Sequence, residues 1–292
     1  MPNAEGAGGQ REDVNVYRGV QDVFKPSSEV EVHAERIRRK GFTVVPSCFD
    51  SAKLDLFRAR IDACYQHQID SVGGEKVLFE IGDQFSAKGL CTFDDCFLEM
   101  IQHPMVLSLV RHFLGERFIL HLQNGVINVP QIFNPAANWH RDLFFQNYTS
   151  SRPLSISALY AIDDFDAETG GTHFLEGSHL FEEFPSVGYV EENAKQLSVP
   201  AGSIMIFDSM MFHRAGHNRS NRMRRSVSNI FTAPMIRQQI CLPDMLQGRH
   251  SQDPVIAGIL GYGFEGSRSI ESWRLERYKK RVGTGYSAVR SP

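Results

Sequence analysis

Apolar residues recur at three- and four-residue spacing in three stretches of the first third of the chain. From Glu29 to Lys40, Val32 and Ile37 share a helical face, and Gly41 stands where a helix end favours a left-handed residue. Leu54, Phe57, Ile61 and Cys64 repeat behind Asp50 or Ser51, either of which can cap a helix. Pro104 to Leu114 carries its proline at the start and Gly115 after its end, the asymmetry that a helix prefers. Phe42 to Val45 is a short apolar strand closed by Pro46. Residues 70–98 are mixed in character and hold Gly73, Gly74, Gly82 and Gly89, which predicts a long loop of the kind that serves as a lid.

The pattern then changes period. Residues 118–133 (FILHLQNGVINVPQIF), Leu154 to Ile162 (LSISALYAI), Ser203 to Phe207 (SIMIF) and Ser226 to Thr232 (SVSNIFT) alternate and are rich in Ile and Val. Short strands separated by Gly, Pro and Asp turns predict an antiparallel sandwich or barrel and argue against a parallel βαβ sheet. After Pro234 the pattern is irregular until a helical stretch from Ile270 to Val282. The predicted layout is a tail over 1–28 without periodicity, then a single domain. That domain has a mostly helical part over 29–117, a β core over 118–235 and a C-terminal cover over 236–292.

Composition narrows the function classes. Net charge is −3 over 292 residues, so the strongly basic face of a dedicated nucleic-acid binder is not expected. Five cysteines without a CxxC pair fit a reducing compartment better than a disulfide scaffold or zinc ribbon. The N-terminal residues lack the apolar core of a secretory signal, and no run approaches the ~20 apolar residues of a membrane helix. A cytoplasmic protein with a small-molecule partner, and no nucleic-acid or membrane partner, is the expectation. Nothing in the sequence sets the oligomeric state.

Among eleven histidines, one grouping carries chemistry. His140 and Asp142 flank Arg141, and on an extended chain residues i and i+2 share a face, so an imidazole and a carboxylate stand side by side. His33 and Glu35 have the same spacing but fall in a predicted helix, where they diverge by about 200°. A third ligand from a later strand end would complete the two-histidine, one-carboxylate facial triad of non-haem Fe(II) oxygenases. His213, at the end of the apolar run after Ser203–Phe207, is preferred to nearby His217. Arg222, Arg224 and Arg225 crowd the start of the last β segment. Arg224 and Ser226 share a strand face and can clamp one carboxylate, for which a planar guanidinium is suited, while Arg225 points away.

Four blocks of this chain resemble the phytanoyl-CoA dioxygenase family of Fe(II)- and 2-oxoglutarate-dependent oxygenases. They are RIRRKGFTVVPSCF (36–49), WHRD (139–142), GGTHFLEGSH (170–179) and HRAGHNRSNRMRR (213–225). Glu176 stands where the family usually has proline. The resemblance spans roughly residues 30–280. It implies a mainly β fold with flanking helices around a double-stranded β-helix, or jelly-roll, core. It implies that His140, Asp142 and His213 hold Fe(II), and that 2-oxoglutarate chelates the metal and pairs its far carboxylate with Arg224. O2 is then the oxidant, succinate and CO2 are released, substrate is hydroxylated, and ascorbate can serve as reductant. In halogenating relatives a small residue replaces the carboxylate ligand, so Asp142 favours hydroxylation.

Softer expectations surround that set. Gln123, Asn128, Ser155 or Ser157 can hydrogen-bond the co-substrate; Trp139 packs beside the metal; Phe144 to Asn147 line the pocket mouth; His179 shapes a turn. Desaturation, cyclisation and halogenation are rival outcomes, and a catalytically silent jelly-roll binding protein is a rival of another class. Intact His140, Asp142, His213 and Arg224 speak against the silent protein, and Arg224 with Ser226 speaks against a zinc hydrolase. With no CoA-phosphate cradle and a mildly acidic charge, the expected substrate is a small polar metabolite or biosynthetic intermediate.

Overall fold

The computed structural model describes residues 22–46, 48–143 and 148–283. Residues 22–28 are exposed and irregular up to Ser28, whose side chain accepts from the Glu31 N–H and caps the helix Glu29–Lys40. Gly41 ends that helix at φ 94°, a left-handed conformation that a side chain resists. A Cβ there would lie 2.3 Å from Met211 Sδ and 2.8 Å from His179 Nδ1, so the turn needs glycine for space as well. The helices Ser51–Ser71, capped by Asp50, and Pro104–Leu114 lie where the periodicity places them.

Among the described residues there are nine strands in chain order: β1 Phe42–Val45, β2 Ser86–Lys88, β3 Ile119–Asn128, β4 Ser155–Ala161, β5 His173–Leu175, β6 Ala194–Gln196, β7 Ile204–Asp208, β8 His213–Arg214 and β9 Arg224–Thr232. They form a six-stranded sheet, β1-β7-β4-β9-β3-β2, and a three-stranded sheet, β6-β5-β8, with every pairing antiparallel. Chain neighbours are often not sheet neighbours, the crossing pattern of a jelly roll.

Strand β4 is buried along its whole length because both of its faces are covered. Ile156, Ala158 and Tyr160 join the large core under the helices, with Phe57, Ile61, Leu90 and Phe97. Leu159 and Ala161 face the other way and join Phe165, Phe174, Met205 and Phe207 between the two sheets. The candidate site opens within this second, smaller core. After Pro234, the helices Leu242–Leu246 and Pro254–Leu260 bury Leu242, Leu246, Ile259 and Leu260 in the larger core, as a C-terminal cover.

Two expectations change. Residues 70–98 are not one long loop: they hold the helices Glu75–Glu80 and Leu90–Phe93 and strand β2, and lead into the helix Leu98–Ile101. Strands β1 and β2 extend the main sheet at both edges, so the β core draws on the part of the chain expected to be helical. Among the described residues, no helix is long and apolar enough to cross a membrane.

Candidate metal centre and co-substrate pocket

His140 and His213 are brought together by the backbone. They form an isolated antiparallel bridge in which each N–H donates to the other's carbonyl at 3.0 Å. The two ring centroids lie 4.3 Å apart. Each ring turns Nδ1 back to the main chain, His140 to the Asn138 carbonyl at 2.8 Å and His213 to the Met211 carbonyl at 3.0 Å. Donation from Nδ1 fixes the tautomer that leaves Nε2 as the free donor atom, the usual support of a metal-binding histidine. The Asp142 N–H donates to the Ser209 carbonyl at 2.9 Å, which turns the carboxylate towards His213, with Oδ1 3.5 Å from Nε2. One ligand atom from each of His140, Asp142 and His213 lies within 4.8 Å of the others.

Three serines hold the carboxylate. Ser157 Oγ donates to Asp142 Oδ2 and lies 2.7 Å from Ser209 Oγ, which lies 2.7 Å from Ser155 Oγ. Burial pushes the His140 pKa down to about 4, and the neighbouring His213 adds to this, so the ring is neutral and ready to ligate. Burial also acts to lower His213, but the charge and hydrogen bond of Asp142 outweigh it and leave that pKa raised. Asp142 is likewise penalised by burial, yet His213 holds it below the usual carboxylate range. A cation bound at this site takes the place of the His213 proton.

From the triad a cavity of about 220 Å³ runs inward to Arg224. Leu159, Phe207 and Ile230 give it apolar walls, and Thr172, Ser226, Ser228 and Asn124 give it polar ones. Arg224 is only 1% exposed, and its guanidinium lies 4.3 Å over the Phe165 ring. Its Nε and Nη2 have no hydrogen-bond partner. Burial pushes its pKa down to about 10, only partly opposed by Asp163. A buried cation with unpaired donors beside a cavity is suited to receive an anion. Two imidazole nitrogens and a carboxylate suit a divalent first-row metal, and the cavity and Arg224 suit a dicarboxylate reaching inward from it.

Strand alternation separates Arg224 from Arg225, and Arg222 lies before the strand. Arg225 pairs bidentately with Asp62 at 2.8 Å and with Asp163 at 3.2 Å, on the outer face. Arg222 lies 3.8 Å from Asp166 at the surface, and Arg224 alone of the three turns inward. His217 is exposed and His213 buried. Gly170 packs its backbone against Gly216, where a Cβ would lie 2.3 Å from the Gly216 carbonyl, so the glycine-rich block closes the loop after His213.

Four residues expected to touch the co-substrate do not line the cavity, and one of them, Ser157, is held by Asp142 and Ser209. Gln123 faces the helices, where it accepts from the Cys91 N–H at 2.8 Å and donates to the Phe97 carbonyl at 3.2 Å. Asn128 donates to the Gly216 carbonyl at 2.9 Å and ties down the loop after His213. Ser155 is taken up by Ser209 and by the Phe231 carbonyl at 2.9 Å. The residues that do line the cavity were missed: Asn124, which pairs with Ser228, and Ser228 itself, two residues beyond Ser226 on the same face. Arg141 is buried away from the triad, over Phe212 at 3.9 Å, and donates to the carbonyls of Ser178, Phe181 and Glu182. Trp139 packs against Phe184 and Arg214. His179 meets the Arg38 carbonyl at 3.2 Å in its turn. Phe144 to Asn147 lie outside the described residues.

Comparison with known proteins agrees with this architecture. Residues 37–226 match the model of the family described as phytanoyl-CoA dioxygenase (PhyH). An uncharacterised protein of Mycobacterium tuberculosis is 33% identical over 207 residues, covering 68% of this chain and 74% of that protein. The dioxygenase cdmA of Talaromyces verruculosus is 23% identical over 236 residues, 74% of this chain and 75% of that one. Among solved structures, the epimerase SnoN from nogalamycin biosynthesis, in complex with Fe3+, alpha ketoglutarate and nogalamycin RO, superposes with a TM-score of 0.55 at 19% identity. It covers 70% of this chain and 84% of its own. The non-heme monooxygenase ThoJ gives 0.56 at 20% identity, over 69% and 77%. Fold and site thus define a non-haem iron, 2-oxoglutarate-dependent dioxygenase. Within that class, the chain belongs to the phytanoyl-CoA dioxygenase family.

Proposed function

We propose that this enzyme hydroxylates an unactivated C–H bond of a small-molecule biosynthetic intermediate, with His140, Asp142 and His213 holding Fe(II) and Arg224 and Ser226 holding 2-oxoglutarate. The observation that carries the assignment is the buried Arg224 guanidinium, whose Nε and Nη2 have no hydrogen-bond partner, lining the same cavity as the triad. When bound, Fe(II) and 2-oxoglutarate supply the activation of O2, with release of succinate and CO2. The chain's residues set the stage. Asn138 and Met211 carbonyls hold both imidazoles with Nε2 presented, and Ser157 holds one carboxylate oxygen of Asp142 so that the other is free to ligate. Arg224 fixes the far carboxylate of the co-substrate, while Leu159, Phe207 and Ile230 keep water from its middle.

The test is conversion of 2-oxoglutarate to succinate by the full chain with Fe(II), O2 and ascorbate. Succinate forms, and a converted substrate gains one oxygen atom; loss of two hydrogens instead would mark desaturation or ring closure. A protein that binds Fe(II) below stoichiometry and forms no succinate refutes the proposal.

A further inference from the structure

Arg224 reaches the co-substrate cavity with no hydrogen bond at Nε or Nη2 to steady it, and the Phe165 ring lies 4.3 Å from its guanidinium. A long side chain of this kind carries much rotamer freedom. A guanidinium that must meet a carboxylate fork to fork gains from having that freedom removed beforehand. Arg224 is also the first residue of β9, and the residues before it, Arg222 and Met223, are exposed. Its alignment therefore has to come from the main chain around it.

That main chain is gripped from outside the barrel. The residues just past β4, Ile162 to Phe165, run beside Arg225. The N–H groups of Ile162 and Asp163 donate to the Arg225 carbonyl at 3.1 and 3.3 Å, and the Arg225 N–H donates to Asp163 Oδ2 at 2.8 Å. The Arg225 guanidinium closes on the same oxygen at 3.2 Å. Two residues further on, Phe165 covers Arg224, and its backbone is pinned to Val199 by two hydrogen bonds of 2.9 Å. One short segment thus carries both the acid that fixes Arg225 and the ring that covers Arg224. The helix Ser51–Ser71 holds the outer side. Its Arg58 donates to Asp163 Oδ1 at 2.6 Å and to the Ile162 carbonyl at 2.8 Å, and Asp62, one turn along, pairs with Arg225. Helix, segment and strand meet at Asp163, whose side chain is only 18% exposed. Its charge also reaches Arg224, where it opposes the effect of burial on that pKa.

We propose that Asp163 is a positioning residue for the co-substrate: through the Arg225 backbone and the segment that carries Phe165, it holds the Arg224 guanidinium in line with the far carboxylate of 2-oxoglutarate. The proposal rests on the oxygenase reading, in which Arg224 receives that carboxylate. Asp163 itself does not line the cavity, so it acts on the co-substrate only through Arg224. Its role fixes the sign of its effect. By charge alone, removing Asp163 takes a negative charge from beside the site and draws a dianion in more strongly. By alignment, removing it weakens binding.

The test is isothermal titration of 2-oxoglutarate into the full chain loaded with Ni(II). Asp163→Ala binds 2-oxoglutarate about tenfold more weakly than wild type, the cost of misaligning one of two charge-assisted hydrogen bonds, and still takes up one Ni(II) per chain. Asp163→Asn keeps an acceptor for the Arg225 N–H and falls between Asp163→Ala and wild type. Ni(II) stoichiometry reports folding, and if Asp163→Ala loses it, Asp163→Asn decides. In an Arg224→Met background, Asp163→Ala costs nothing further, because its effect passes through that guanidinium. Glu99→Gln breaks an ion pair of the same helix, with Lys53, and leaves the affinity unchanged. Unchanged or tighter binding in the Asp163 variants overturns the proposal. So does an equal loss in the Arg224→Met background or in Glu99→Gln, either of which marks a general loosening of the fold. A wild type that binds no 2-oxoglutarate overturns the oxygenase reading and this proposal with it. Normal binding by the wild type, weak binding by Arg224→Met and indifferent Asp163 variants overturn this proposal alone.

Discussion

Replacing Arg224 by methionine should make the empty protein more stable and deprive it of its co-substrate. The guanidinium is 1% exposed, Nε and Nη2 lack hydrogen-bond partners, and burial pushes its pKa down to about 10. A depressed pKa on a base means that the folded state penalises the charged form. The penalty is fully present at neutral pH and would fade only as pH rose through about 10. At about 1.4 kcal/mol per pKa unit, the cost is on the order of 3 kcal/mol. The contact with Phe165 returns on the order of 1 kcal/mol, leaving about 2 kcal/mol. Methionine fills similar space without the charge, so Arg224→Met should unfold about 4 °C higher, at roughly 2 °C per kcal/mol for a chain of this size. With 2-oxoglutarate bound the balance reverses. Charge-assisted hydrogen bonds contribute about 1.5–3 kcal/mol each, so losing two lowers affinity at least about 100-fold. Thermal unfolding of the Ni(II)-loaded wild type and variant, with rising 2-oxoglutarate, measures both effects. Arg224→Lys keeps the charge but not the fork and falls between them. An Arg224→Met protein that is less stable than wild type without co-substrate, or that 2-oxoglutarate stabilises as strongly as wild type, would refute the reasoning.

Two further perturbations probe the surroundings. Ser157→Ala removes the donor that holds Asp142 Oδ2 and should weaken divalent metal binding about 10–100-fold in an anaerobic Fe(II) titration; an unchanged affinity would show that Ser209 alone orients the carboxylate. Asp208 is buried, which pushes its pKa up to about 6, with its Oδ1 2.9 Å from the Met210 N–H. Its folded pKa exceeds its unfolded one of about 3.9, so stability is highest below the unfolded value and falls as pH rises through about 6. Asp208→Asn keeps the acceptor for Met210 and should stabilise the protein by about 2–3 kcal/mol well above that window and not below it. Urea unfolding on both sides of the window decides, and equal effects on the two sides would contradict the shift.

Residues whose positions follow from local geometry were legible in the sequence. The HxD spacing, the apolar run that leads to His213 and the alternation that turns Arg224 inward and Arg225 outward are all short-range signals, and the structure gathers His140, Asp142, His213 and Arg224 around one cavity. Helix ends were legible for the same reason, since Asp50, Pro104, Gly41 and Gly115 act on their immediate neighbours. The partners of each strand were not legible. β1 joins the main sheet by pairing with β7, some 160 residues away, which no local pattern announces (Phe42 pairs with Phe207). The second sheet is built from strands of two or three residues, too short to show a period. Gln123 and Asn128 differ in parity and cannot share a face of a regular strand; Asn124 and Asn128 do share one, and Asn128 is then taken by the Gly216 carbonyl.

Fe(II) stoichiometry under anaerobic conditions, measured on the wild type, His213→Ala and His217→Ala, tests the account most directly. The account predicts one tightly bound Fe(II) per chain in the wild type and in His217→Ala, and loss of that site in His213→Ala. A His213→Ala protein that still binds one Fe(II) tightly and forms succinate would contradict it.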